Sequence, residues 1–308
     1  MKWFDYGQIF EANKYGLNCA RSPQALEFDN YVRVYFSSIR PDKDKVISYV
    51  CFADFDKSFK NVLRISDCVF DNGGLGCFDE HGVFPLSPVK VGDKIYAYTS
   101  GWTRRVSVSV DTGIGLAISH DNGMTFERYG NGPVVTSSLH EPFLVLDGFV
   151  RQYDDVFHMW YIFGTDWLVF KEDAPPDRIY KITHAVSLDG VKWEKDNAQI
   201  IPDRLENEAQ ALPSVIKWGD RYHMMFCYRH AYDFRTNSER SYRLGYAHSK
   251  DLISWERDDN NAFVSEQPWA NEMTCYPNLF ECCGRLYLLY NGNQFGKYGF
   301  GLAQLCEE

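Results

Sequence analysis

The sequence predicts an all-β fold, a five-bladed β-propeller of four-stranded antiparallel blades, on three observations. An aromatic strand recurs five times at near-constant spacing, a proline-containing apolar run precedes each copy, and a further strand follows each copy. The aromatic copies are VRVYFSSIR (32–40), KIYAYTSGW (94–102), VFHMWYIFG (156–164), RYHMMFCYR (221–229) and RLYLLYNGN (285–293). Self-similarity at this period, with about four strands per copy, is the signature of propeller blades.

The stretch Gly219–Asp258 displays the unit most fully. Tyr222, Met224, Phe226 and Tyr228 alternate with the period of a strand. A polar loop, the strand YRLGYAHS, a turn at Ser249-Lys250-Asp251-Leu252 and a Trp-Glu-Arg strand complete it. Ser249 and Asp251 have side chains suited to bonding nearby backbone amides. The runs ahead of the aromatic strands are RSPQAL from Arg21, HGVFPLSPV from His81, HEPFLVL from His140, ALPSVI from Ala211 and CYPNLF from Cys275. The strands after them are VISYVCFAD, GIGLAISHD, ITHAVSLDG, LGYAHSKD and FGLAQL. The fifth copy ends in FGLAQLCEE without a fourth strand, while the N-terminal KWFDYGQIFEAN resembles the missing piece. The N-terminal strand is therefore expected to complete the last blade and close its open edge. Residues 1–308 are read as one domain with very little helix.

Bulk properties narrow the function. The 308 residues carry a net charge of −10, which disfavours a nucleic-acid partner. No apolar run reaches the roughly 18 residues of a membrane span, and MKWFDYGQIF lacks the regions of a signal peptide. No membrane partner and a cytoplasmic location are expected. The nine cysteines include no CxxC pair, and the adjacent Cys282-Cys283 are poorly spaced for a shared metal and strained for a disulfide. They read as reduced core thiols. No metal and no cofactor are expected; NGNQFGKYGFG lies between strands and is not a dinucleotide loop.

In a propeller blade the innermost strand lines the axis. The loop leading into it and the loop joining the second and third strands emerge on one face. That geometry collects Arg21, Asp79, Glu80, His81, His140, Glu141, Glu206, Glu208 and Glu272 from the first set of loops. The second set supplies Trp102, Arg104, Asp166, Trp167, Arg229, His230, Asn291 and Asn293. Carboxylates, arginines and aromatic rings around one axis suit a hydroxyl-rich ligand, with carbohydrate the best fit and a small-molecule or oligosaccharide substrate the expected partner.

The five-blade count, the Asp79…Pro85, Glu141-Pro142 and Glu208…Pro213 segments, and the SxDGxxW turns resemble the five-bladed furanosidase-type glycosidases. That superfamily holds arabinanases, invertases and mannoside phosphorylases. HGVFPLSPV, IGLAIS, EMTCYPNLF and YNGNQFGKYGFG are most similar to glycosidase-like propellers of bacterial polysaccharide-biosynthesis clusters. The resemblance implies a glycoside hydrolase-like enzyme of polysaccharide metabolism. Arabinanase-like members place an Asp at the start of blade 1 as base, where NCARSPQAL has Arg21. Phosphorylase members use one acid plus cations that hold inorganic phosphate, a part open to Arg21, Arg229 and His81.

Asp79 and Glu208 are the candidate acid–base pair, and Glu272 is a third catalytic candidate. Two carboxylates flanking the bond at roughly 6.5–9.5 Å would give inversion. The plainer alternatives are a structural carboxylate at Asp79 and a salt bridge from Glu208 to Arg229. Glu141 would bind substrate or satisfy loop amides. Arg21, His81, Trp102, Asp166, Arg229, Tyr276 and Asn291 complete the expected binding set, with Trp102 and Trp167 either stacking on sugar or packing between blades. Asp121, Asp189 and Asp251 belong to turns like the Asp boxes of sialidases and read as structural. The rival reading from another class is a sugar-binding propeller without catalysis.

Overall fold

Runs of β-branched and aromatic residues, broken by Gly, Asn and Asp turns, favour strands over helices. The computed structural model describes residues 1–43, 45–172 and 174–306. Among the described residues there is no α-helix, only three short 3-10 turns. Asp173 of the long blade-3 loop, and Glu307 and Glu308, lie outside them.

The strands form five separate four-stranded antiparallel sheets. After β1 (Trp3–Glu11), blade 1 contains β2 (Arg21–Glu27), β3 (Val32–Asp42), β4 (Lys45–Phe55) and β5 (Val62–Phe70). Blade 2 contains β6 (Val83–Val91), β7 (Lys94–Arg104), β8 (Val110–Ser119) and β9 (Glu127–Arg128). Blade 3 contains β10 (Val145–Tyr153), β11 (Val156–Leu168), β12 (Asp177–Ser187) and β13 (Glu194–Lys195). Blade 4 contains β14 (Glu208–Trp218), β15 (Arg221–His230), β16 (Arg243–Ser249) and β17 (Glu256–Arg257). Blade 5 contains β18 (Cys275–Cys282), β19 (Arg285–Asn291) and β20 (Gly299–Leu305), and β1 completes it by pairing with β20 from Trp3↔Leu305 to Glu11↔Gly299.

Each innermost strand carries the same β-bulge. The register slips between Arg21 and Gln24, Val83 and Leu86, Leu146 and Phe149, Ala211 and Ser214, and Cys275 and Asn278. The first inserted residue is Ser22, Phe84, Asp147, Leu212 or Tyr276; the second is Pro23, Pro85, Gly148, Pro213 or Pro277. A bulge leaves an amide outside the ladder, so proline is tolerated there. Ser22, Asp147, Leu212 and Tyr276 have φ of 52°, 60°, 46° and 57°, the left-handed region that re-aims a side chain.

The freed amides stitch the blades together. Ser22 N–H donates to Asn291 Oδ1 (2.8 Å), Asp147 N–H to Ser100 Oγ (2.7 Å) and Leu212 N–H to Asp147 Oδ2 (3.3 Å). Further along the inner strands, Ala25 N–H donates to Asn278 Oδ1 and Leu279 N–H to Ser214 Oγ, both at 2.8 Å. The polar side chains in the core are thus acceptors of otherwise orphaned donors.

Between blades the packing is aromatic. The buried Tyr35 and Tyr98 hydroxyls reach into the next blade to donate to Gly123 O and Gly190 O, at 2.9 and 2.8 Å. Those carbonyls belong to the SxD turns. Asp121, Asp189 and Asp251 each accept two backbone amides there, while Ser119, Ser187 and Ser249 accept others. These three aspartates are turn-builders, as the sequence indicates.

Ring closure rests on Asp5, whose carboxylate accepts from Tyr290 Oη (2.6 Å), Ser265 Oγ (2.7 Å) and its own Gly7 amide (2.8 Å). Asp5→Ala leaves the buried Tyr290 hydroxyl without its best acceptor and is expected to cost about 1–3 kcal/mol in urea unfolding. Adding Tyr290→Phe should recover part of that loss. A neutral Asp5→Ala would show that closure does not depend on this contact.

Candidate functional site

The re-aimed residues of the bulges meet on the axis. Phe84 and Tyr276 stand with ring centroids 5.7 Å apart, and Leu212 and Asp147 are hydrogen-bonded. Beside them a cavity of about 280 Å3 opens among blades 1, 2 and 3. Arg21, Phe84, Trp102, Leu146 and Arg178 shape its walls, and Ser37, Ser38, Ser48, Ser100 and Thr112 contribute hydroxyl-bearing side chains. Among the described residues no carboxylate lines it.

Its two arginines are short of partners. The chain has ten more acidic than basic residues, yet among the described residues neither Arg21 nor Arg178 meets a carboxylate in a salt bridge. The Nε of each is buried without a hydrogen-bond partner, and Arg178 donates only to Ser109 Oγ at 3.0 Å. The hydroxyls of Ser22 and Ser38 are buried and unpartnered too. Trp102 is held by its Nε1–H donating to Ser48 Oγ (2.8 Å). Buried donors of this kind lack acceptors, and a ligand rich in oxygen, anionic oxygen above all, would supply them.

Asp147 is the only carboxylate among the five inserted bulge residues. It follows Leu146 in β10 and is 3% exposed. Its Oδ2 accepts the Leu212 amide, whereas its Oδ1 is buried with no partner. Burial pushes its pKa up to about 7, opposed by that amide and by the charge of Arg178. With Oδ2 occupied as an acceptor, Oδ1 is the oxygen open to a proton.

The carboxylates expected to do acid–base work sit elsewhere. Asp79 and Glu208 are both buried, at 1% and 0% exposure. Asp79 is held by Arg128 of β9 (2.6 Å), and Glu208 by Arg257 of β17 (2.7 Å) and by the Arg204 and Leu205 amides. Glu141 follows the same pattern with Lys195 of β13, and also accepts from Tyr161 Oη at 2.7 Å. In three successive blades, then, the carboxylate ahead of the inner strand is clamped to the cation of the outer FER, WEK or WER strand. Arg128, Lys195 and Arg257 also bond the carbonyls of Asp71, Thr136 and Pro202, pinning the crossover between blades. Glu208 pairs with Arg257 rather than with Arg229.

Of the other expected residues, Arg21 and Trp102 line the axial cavity and Tyr276 packs on the axis. His81 lies against Trp102, with centroids 5.8 Å apart, and its Nδ1 faces the Arg104 amide. Arg229 is boxed by Phe234, Tyr180 and Tyr242, donating to Tyr180 Oη and two carbonyls. Asn291 is wholly buried, bonding Ser22, Ala20 and Gly299. Asp166 is exposed on β11. Glu272 lines a separate hollow of about 550 Å3 between blades 4 and 5. A larger hollow, about 660 Å3 beside Met1, Lys2 and Arg285, opens at the opposite face and gathers no reactive cluster among the described residues.

Asp147 and Arg178 are the residues that sequence reading passes over. The signal was present. Aligned on the bulge, the pairs Ser22-Pro23, Phe84-Pro85, Leu212-Pro213 and Tyr276-Pro277 put Asp147-Gly148 in the blade-3 slot. Pro142 in HEPFLVL draws the alignment away, although the inner strand begins only at Val145.

The cysteines are all free, but not all in the core: Cys68 and Cys283 are exposed. Among the described residues no helix is long and apolar enough to cross a membrane.

Comparison with solved structures finds the same fold in glycoside hydrolases and in a phosphorylase. A protein described as a glycoside hydrolase superposes with a TM-score of 0.77 at 15% identity, over 99% of this chain and 92% of that one. A thermostable family-43 glycoside hydrolase gives 0.69 at 14%, over 95% and 91%. The beta-1,2-mannobiose phosphorylase of Listeria innocua, in complex with beta-1,2-mannobiose, gives 0.68 at 11%, over 99% and 97%. No family profile matches the sequence. The chain belongs to the same family as the uncharacterized proteins Rv1502 and MT1551 of Mycobacterium tuberculosis, strains H37Rv and CDC 1551. It is 32% identical to each over 313 aligned residues, covering 99% of both partners.

The raised pKa of Asp147 has a measurable consequence. An unfolded Asp ionises near 3.9, so between about pH 4 and 7 the folded chain holds a proton that the unfolded chain lacks. Stability carried by Asp147 therefore falls as pH rises through that window. His158, pulled down to about 4 by burial and the neighbouring His184, acts in the opposite sense. Asp147→Asn removes only the falling part. Urea unfolding at pH 5 and pH 8 should show the variant gaining on the wild type by a few kcal/mol at the higher pH, at about 1.4 kcal/mol per pKa unit. Parallel profiles would place the Asp147 pKa in the ordinary range.

Proposed function

We propose that the protein is a carbohydrate-active enzyme that works at the axial cavity by phosphorolysis, cleaving a glycosidic bond with inorganic phosphate. The observation that carries this reading is the composition of the cavity among the described residues: two arginines without carboxylate partners, several hydroxyls, one carboxyl of raised pKa beside it and no second carboxylate. Inverting hydrolysis needs a base to activate water as well as an acid. Phosphate arrives as an anion and needs no such base, but it does need cations to hold it. Arg21 and Arg178 fit that requirement, and their planar forks suit phosphate oxygens.

In this reading Asp147 is the acid. A carboxyl with pKa near 7 is well matched to protonating a leaving oxygen at neutral pH. Asp147 Oδ1 gives its proton to the glycosidic oxygen while a phosphate oxygen attacks the anomeric carbon from the opposite side. The bond to the leaving sugar breaks, and a glycosyl phosphate of inverted configuration forms. Phosphate that attacks as the hydrogen phosphate ion carries a proton of its own. Its return to Asp147 restores the acid. Trp102 offers a ring face for the sugar, and His81 backs that ring. Since Asp147 is covered, substrate has to displace the side chains around Leu146 to reach it. Asp79, Glu141 and Glu208 hold the crossovers in place rather than react. The Listeria phosphorylase supports the reading only through its shared fold.

The test runs the reaction backwards. Sugar 1-phosphates are offered with free sugars as acceptors, and released phosphate is measured. At least one pair should turn over. Asp147→Asn is expected to lower kcat by about 10²–10⁴-fold, and Arg21→Ala to raise the KM for the sugar phosphate more than it lowers kcat. Hydrolysis of linked sugars independent of phosphate, or full activity in Asp147→Asn, would overturn the assignment. Binding of sugars without turnover would support the non-catalytic alternative.

A further inference from the structure

At the far ends of the inner strands, away from Arg21, a second group of reactive side chains lies at the junction of blades 5 and 1. Glu27 is the last residue of β2. Cys282 ends β18, and Cys283 and Gly284 form the hairpin leading into β19. One oxygen or sulfur from each of Glu27, Cys282 and Cys283 lies within 4.8 Å of the others. Adjacent cysteines ordinarily point apart along a strand. Here Cys283 takes a left-handed φ of 51°, and the two sulfurs stand 3.8 Å apart.

We propose that Glu27, Cys282 and Cys283 bind one soft or borderline divalent cation, with zinc as the type. The sulfur separation supports this directly. Two thiolates bound tetrahedrally at about 2.3 Å from one ion must lie about 3.8 Å apart. The donor set of two thiolates and one carboxylate suits zinc over magnesium or calcium. Charge balances as well. Two thiolates and Glu27 contribute three negative charges, offset by the ion and by Lys57, whose ammonium sits 2.8 Å from Glu27 Oε1. Lys57 and the Cys283 amide both bond that Oε1, so Oε2 is the oxygen left for the metal. Cys283 is exposed and gives the ion a way in, whereas Cys282 is fully buried and anchors it. A water molecule would fill the fourth position.

The consequence is mechanical. Glu27 belongs to blade 1 and the cysteines to blade 5, so the ion would clip together two blades next to the strand that closes the ring. Binding to the folded state alone raises stability by mass action.

Cobalt(II) reports on such a site, because thiolate ligation gives an ultraviolet charge-transfer band. The metal-free full-length protein, reduced with a phosphine, is titrated with cobalt and the cobalt then displaced with zinc. The expected result is one equivalent of cobalt per chain, a charge-transfer band abolished by zinc, and a higher melting temperature with either metal. Cys283→Ser should remove both the band and the stabilisation, and Glu27→Gln should weaken binding by about tenfold or more. Cys68→Ser, which alters another exposed thiol, should change neither. No band in the wild type, a band that survives Cys283→Ser, or unchanged affinity in Glu27→Gln would overturn the site as assigned.

Discussion

The structure depends on one backbone device used five times. Each inner strand inserts a residue at the same level, and the bulge turns that residue's side chain toward the axis while freeing its amide. A free amide in a dry core must find an acceptor. In this chain the acceptor comes from a neighbouring blade, as with Asn291 for Ser22, Ser100 for Asp147 and Asp147 for Leu212. The same event that holds the ring together thus decides which side chains meet at its centre. Asp147 does both. One oxygen belongs to the seam between blades 3 and 4, and the other has no duty in the fold.

At the blade crossovers the carboxylates are paired. Asp79, Glu141 and Glu208 are matched by Arg128, Lys195 and Arg257 from the outer strands. Buried pairs of this kind are weak sources of net stability but costly to break, because the survivor is left as an unpaired buried charge. Their repetition makes them part of the blade-to-blade crossover. The axial cavity is the contrast: among the described residues Arg21 and Arg178 have no such match, and the proposed anionic ligand would supply one.

Periodicity made the architecture legible. Five aromatic strands, the SxD turns and the orphaned N-terminal strand sufficed to give the blade count and the closure through β1. The candidate cavity was legible in part, because loop position brings Arg21 and Trp102 toward the axis without side-chain knowledge. That Asp79 and Glu208 face outer-strand cations was not legible, for a physical reason. A carboxylate at the mouth of an inner strand looks the same in sequence whether it faces the axis or an outer-strand cation, and the partners lie 49 residues away in each case. The basic third residue of FER, WEK and WER held the clue. Asp147 was hidden because its bulge carries glycine where the other four carry proline.

The claim that the free arginines define the working end of the axis is tested most directly by a crystal structure of the protein grown with inorganic phosphate, alongside one of Arg178→Ala. The account predicts phosphate in the axial cavity, bonded by both Arg21 and Arg178 and lost in the variant. An empty axial cavity with ordered phosphate elsewhere, or phosphate retained there without Arg178, would contradict it.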